Sequence, residues 1–175
     1  MPRTLAAVLA GFGVAVAGSV MQMSMHNRFV SPTTAGTSQF ALVGLLAVAL
    51  LAPATSVMGK MLVASACAVA GLGEDAATGL GLSYRLVVDL AVAAAAVMTA
   101  VSVVVVGTLP FLGLVVPNAA SRICGDNLRR ALPVVAAGGA LLTVVCDVVG
   151  RLVHYPYEIS VTVIMGVVGA GAFIV

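Results

Sequence analysis

Charge is scarce in this sequence. Only 8% of its 175 residues are Asp, Glu, Lys or Arg, while 62% are hydrophobic; an ordinary soluble domain carries about 25% charged residues. A chain so poor in charge cannot cover a folded body with polar surface, so its outer surface must be lipid. The formal net charge of +2 gives no basis for nucleic-acid binding. Tryptophan is absent. The three cysteines, Cys67, Cys124 and Cys146, lie in apolar runs without CxxC or Cys/His spacing, and read as small buried hydrophobes rather than disulfide or zinc partners. His26 and His154 stand apart from any second ligand at metal spacing and read as surface or interfacial residues.

The motifs of catalysis are missing as well. There is no GxxxxGK[ST], HExxH or GxSxG, so any ATP used with this chain is hydrolysed by another. Gly71-Leu72-Gly73-Glu74-Asp75-Ala76 fits GxGxxG/A. The dinucleotide fingerprint, however, needs a preceding strand and a helix start that welcomes phosphate, which two carboxylates would repel.

What the sequence does contain is long, continuous apolar runs. A hydrocarbon core of about 30 Å needs about 20 apolar residues in a helix, and only helices or closed barrels satisfy every backbone group in lipid. Continuous rather than alternating hydrophobicity predicts about seven helical spans, at residues 4–22, 39–52, 57–72, 86–106, 109–124, 132–152 and 159–175. The second and third are short enough to be tilted companions or one broken hairpin around Pro53. The apolar stretch after "MPRTL" is too long for a cleavable signal peptide and is soon followed by another span.

Basic residues set the orientation. Alternate connections hold Arg28, Arg85, Arg122, Arg129 and Arg130 on one side, and Arg3, Lys60 and Arg151 on the other. The first set predicts a cytoplasmic side that includes "GLGEDAATGLGLSYR". Small residues in the first span (Gly11, Gly13, Ala17, Gly18) and in the sixth (Gly138, Gly139, Ala140) predict close helix packing. Tyr155 and Tyr157, beside Pro156, suit an interfacial aromatic belt.

Few acids remain. Glu74 and Asp75 suit the positive end of a short helix stopped by Gly79 and Gly81; a cytoplasmic docking element and a solvated loop both fit. Asp89 lies four residues after Arg85, and Arg151 four after Asp147. An intramembrane carboxylate is a candidate proton or ion site, but a cationic neighbour on the same helical face favours structural pairing or snorkelling for both.

The loop motifs carry a resemblance. "PRTLAAVLAGFGVAVAGSVMQ", "NRFVSPTTAGTS", "GLGEDAATGLGLSYR", "GTLPFLGLVVPNAASRICGDNLRRALP" and "CDVVGRLVHYPYEISVTVIMGVVGAGAF", in this order, resemble the permease subunits of iron-siderophore and cobalamin type (FecCD-like) ABC importers. "NRFVSPTTAG", "GDNL" and "YPYEI" look most like the catecholate branch, of the petrobactin or enterobactin kind.

The resemblance implies an all-α polytopic membrane bundle, a shortened type II ABC importer permease forming one domain over residues 1–175. It implies a bacterial cytoplasmic-membrane subunit that imports ferric siderophores. Its partners would be a second permease subunit, two cytoplasmic ATPase subunits carrying the ATP and magnesium, and an extracytoplasmic binding protein. The chain itself would hold no cofactor, metal or catalytic residue. The segment 70–85 would couple to the ATPase through Gly73, Glu74, Asp75, Ala76, Thr78, Gly79 and Leu80. Arg3 and Arg151 would receive carboxylates of the binding protein.

The match is shortened. Counterparts of the family's first, fifth and sixth spans are missing, and the internal seam falls at Val69 and Ala70. A non-transporting remnant or assembly subunit is therefore a second expectation, and a small secondary transporter driven through Asp89 or Asp147 a third.

Overall fold

The computed structural model describes the backbone of residues 2–70, 83–125, 128–153 and 159–174, and the side chains of 3–69, 92–125, 130–153 and 159–172. The described chain forms seven helices: α1 (Pro2–Ser24), α2 (Thr37–Leu51), α3 (Val57–Ala70), α4 (Ser83–Val105), α5 (Leu112–Cys124), α6 (Leu128–Val153) and α7 (Val161–Ile174). Each falls on one of the apolar runs. Arg3–Ser24 and Arg130–Val153 are long and apolar enough to cross a membrane; α2, α3, α5 and α7 are shorter.

Local chemistry sets the ends. The α1 C-terminus closes with the Asn27 N–H donating to the Gln22 carbonyl at 3.1 Å and the His26 N–H to Met23 at 3.3 Å. His26 takes the left-handed conformation (φ 50), the place usually given to glycine in this helix stop. The turn that follows satisfies itself. The Ser31 N–H donates to Thr34 Oγ1 at 2.8 Å, the Thr34 N–H donates back to Ser31 Oγ at 3.2 Å, and Thr37 Oγ1 donates to the Pro32 carbonyl at 2.7 Å. Ser31, Pro32 and Thr37 are buried, so these bonds are what allows a polar turn to sit inside the bundle.

Of the two arrangements open to the second and third runs, the structure takes the hairpin around Pro53. α2 and α3 pack side by side, with Gly44 under Cys67. α4 completes this half through an alanine seam of Ala41, Ala64, Ala68, Ala96 and Ala100. The fifth helix starts later than the run at 109–124 suggests, because Phe111 adopts φ 62 and its carbonyl accepts from Leu114 and Val115. Gly169 of α7 lies against the Phe111 ring.

α1 is the central helix and packs on α4, α5 and α6. Ala10, Val14 and Ala15 meet Leu112 and Val116 of α5, Val135 and Cys146 of α6 and Met165 of α7 in the largest buried cluster. The hydroxyls of Thr99, Ser102 and Thr143 inside the bundle donate to the carbonyls four residues back, which lets polar residues sit at helix contacts. Large apolar side chains such as Leu50, Leu51, Leu141 and Val167 are exposed, as a lipid-facing surface requires.

Candidate functional site

Two ends of the bundle carry the polar side chains. α1 and α6 run antiparallel, so Arg3 at the start of α1 and Arg151 in the last turn of α6 lie at the same end. Arg28 lies at the opposite end with α5, where its carbonyl accepts from Asn118 Nδ2 at 3.2 Å. Arg3 and Arg151 thus share one end and Arg28 lies at the other, as the loop pattern groups these three.

At the first end, Arg3 and Arg151 converge on one carboxylate. Asp147 is 3% exposed. Its Oδ2 lies 2.5 Å from Arg151 Nη2, and its Oδ1 lies 3.9 Å from Arg3 Nε. The arginine side chains are 56% and 39% exposed, so they reach outward from a buried anchor. Removing both partners would strand a desolvated charge, at a cost of up to about 3–5 kcal/mol, reduced here by the solvent reaching both arginines. The pairing of Asp147 with Arg151 matches the i,i+4 spacing. The arrival of Arg3 on the same carboxylate is new, since 144 residues of chain separate the two and no local spacing signals it.

Gly150 lets the chain return past this cluster. The Ile159 N–H donates to the Gly150 carbonyl at 3.2 Å, and a side chain at 150 would come within 2.7 Å of the Ile159 carbonyl oxygen. His154, Tyr155 and Tyr157 lie outside the described residues.

The opposite end holds a cavity of about 430 Å³ between α1, α5 and the start of α6, lined by Ser19, Gln22, His26, Asn118 and Ser121 among others. Gln22 Nε2 donates to the Gly113 carbonyl at 3.4 Å, and Ser19 Oγ is buried without a hydrogen-bond partner. Sequence reasoning set His26 aside and missed this cluster. The available signal was Ser19, Gln22 and His26 recurring at helical spacing just before the α1 stop.

The proposed coupling residues Gly73, Glu74, Asp75, Ala76, Thr78, Gly79 and Leu80 lie outside the described residues, as do the side chains of Arg85 and Asp89 in the first turns of α4. The helices flanking that segment, α3 and α4, approach it from the end that carries Arg28, where Val92 and Ala95 of α4 pack on Met21, Val30 and Ala35. Among the described residues, no group of three or more His, Cys, Asp or Glu could hold a metal ion.

Comparison with known proteins matches this architecture. The petrobactin import system permease protein YclN of Bacillus subtilis (strain 168) is 28% identical over 261 aligned positions, covering 99% of this chain and 83% of its own length. The petrobactin import system permease protein FatD of Bacillus anthracis is 30% identical, covering 99% of this chain and 78% of its own. These alignments run well beyond the 175 residues of the chain, so the relatives carry internal residues that it lacks. A metal-chelate type ABC transporter solved in an inward-facing conformation superposes with a TM-score of 0.83 at 17% identity, covering 98% of this chain and 84% of the other. The FecCD transport family matches in two stretches, residues 1–72 and 61–175, whose overlap at 61–72 contains Val69 and Ala70. With both stretches together spanning its whole length, the chain belongs to the FecCD transport family.

Proposed function

We propose that this protein is the membrane-spanning permease subunit of an ATP-driven importer for ferric siderophores of the petrobactin kind, working in a bacterial cytoplasmic membrane. The observation that carries the reading is similarity over 99% of this chain to two petrobactin import permeases, together with a helical bundle matching a metal-chelate ABC transporter. The chain forms one membrane domain. Its partners are a second permease subunit, a pair of cytoplasmic ATPases and an extracytoplasmic binding protein.

In this reading Arg3 and Arg151 face outward and receive acidic side chains of the binding protein. Arginine's planar fork suits carboxylate docking, and charges at such a rim steer encounter. The segment from Gly73 to Leu80 docks on the ATPase at the opposite end. Closure of the ATPase pair on ATP shifts α3 and α4, and through α4 the central α1, between outward and inward access. The permease supplies a path and a mechanical linkage, and hydrolysis takes place on the partner.

Uptake of ferric petrobactin into vesicles containing this chain, its ATPase and its binding protein tests the reading. Failure to co-purify with any ATPase subunit would overturn it. A second reading, an assembly subunit that packs in such a complex without transporting, is favoured by the internal residues that the relatives possess and this chain lacks. An intact complex without flux would select it.

A further inference from the structure

We propose that Asp147 is a positioning residue, a buried carboxylate that holds Arg3 of α1 and Arg151 of α6 together as one cationic platform for an acidic side chain of the delivering protein. The inference rests on the docking reading above and extends it to a residue that does not itself meet the partner.

Three observations carry it. Asp147 is 3% exposed, so an incoming protein cannot reach it, yet each of its oxygens faces a different arginine. Those arginines come from helices whose separation is already fixed, because Gly11, eight residues after Arg3, and Gly139, eight residues before Asp147, bring α1 and α6 into backbone contact. The inner part of Arg151 is enclosed as well: its Nε is buried, while the side chain as a whole is 39% exposed. The guanidinium is therefore held through Nη2 on Asp147 Oδ2, with its Nε enclosed and without a hydrogen-bond partner, while the rest of the group reaches solvent.

Holding a long side chain beforehand lowers the ordering cost of binding. The same carboxylate also subtracts one positive charge from the platform, which weakens long-range attraction. These effects fall on different rate constants, since steering sets association and the geometry of the made contact sets dissociation.

The experiment measures association and dissociation of the cognate binding protein on the complete transporter in nanodiscs. Asp147→Asn is expected to speed dissociation about tenfold while leaving association unchanged or faster. Asp147→Glu, which keeps the anchor charge, should stay within about threefold of the parent. Faster association with unchanged dissociation would mean that Asp147 only tunes charge, and would overturn the proposal. Less complex, with unaltered rates in what remains, would make Asp147 only a helix staple and also overturn it.

Should Asp147→Asn fail to assemble, Arg151→Lys decides the question, because it conserves charge but removes the fork. About tenfold faster dissociation supports positioning, and an unchanged rate refutes it. If Arg3→Gln and Arg151→Gln leave both rates unchanged, the docking reading itself fails.

Discussion

Gly11 of α1 lies against Gly139 of α6 so closely that a side chain added at either would come within 2.5 Å of the other's carbonyl oxygen. The Arg3–Asp147 contact obeys the same antiparallel register: eight residues forward along α1 correspond to eight back along α6. Eight residues are about 12 Å of helix. The backbone contact and the charged cluster are therefore two points on one seam, which ties the Arg3 end of the molecule to its centre.

That seam has no room for a methyl group. Gly139→Val should remove most folded protein from the membrane fraction, because the neighbours are backbone and Ala15 rather than a side chain that can swing away; overpacking of this kind costs about 1–3 kcal/mol or more. Gly13→Ala is the control, since a methyl there meets the flexible end of Met98 at 3.3 Å and Ser102 Oγ at an ordinary 4.0 Å. Fluorescence-detected size exclusion should show a sharp loss for the first and a normal peak for the second.

The hydroxyl turn between α1 and α2 should also be costly to disturb. Ser31→Ala leaves the Thr34 N–H without its hydroxyl acceptor and removes the link to Thr33 Oγ1. These bonds are part-buried and Thr34 itself is exposed, so their loss is worth about 0.5–1.5 kcal/mol and thermal unfolding in detergent should begin a few degrees lower. An unchanged midpoint would show that the turn's position does not depend on its internal bonds.

Coupling is tested at the acids. Replacing Glu74 and Asp75 with arginine in the assembled transporter should leave membrane insertion intact while abolishing stimulation of ATP hydrolysis by the loaded binding protein. Hydrolysis that still rises normally on addition of that protein would remove Glu74 and Asp75 from the linkage.

Much of the fold was legible because lipid simplifies the problem. Apolar runs near the length of a bilayer crossing become helices, and all seven did, including the hairpin that Pro53 divides. The small residues of the first and sixth spans signalled close packing, but not that Gly11 would meet Gly139 or that Gly18 would meet Gly113. Partner choice depends on tertiary register, which no local period records. For the same reason the Asp147–Arg151 pair was readable from an i,i+4 spacing and the arrival of Arg3 was not. Phe111 hid the start of α5, since hydropathy does not report a left-handed turn inside an apolar stretch. The cavity beside Ser19 was missed because its lining comes from three helices, each contributing residues that look unremarkable alone.

Transport is the activity most worth measuring, because this chain lacks internal residues that the petrobactin permeases carry. The direct measurement is ATP-dependent accumulation of radiolabelled iron as ferric petrobactin, in proteoliposomes holding the permease and its ATPase with the binding protein outside. Accumulation that requires ATP and the binding protein, and is lost on replacing Glu74 and Asp75 with arginine, is the expected result. A fully assembled complex that hydrolyses ATP but accumulates no iron would contradict the transport assignment and leave the chain an assembly subunit of this family.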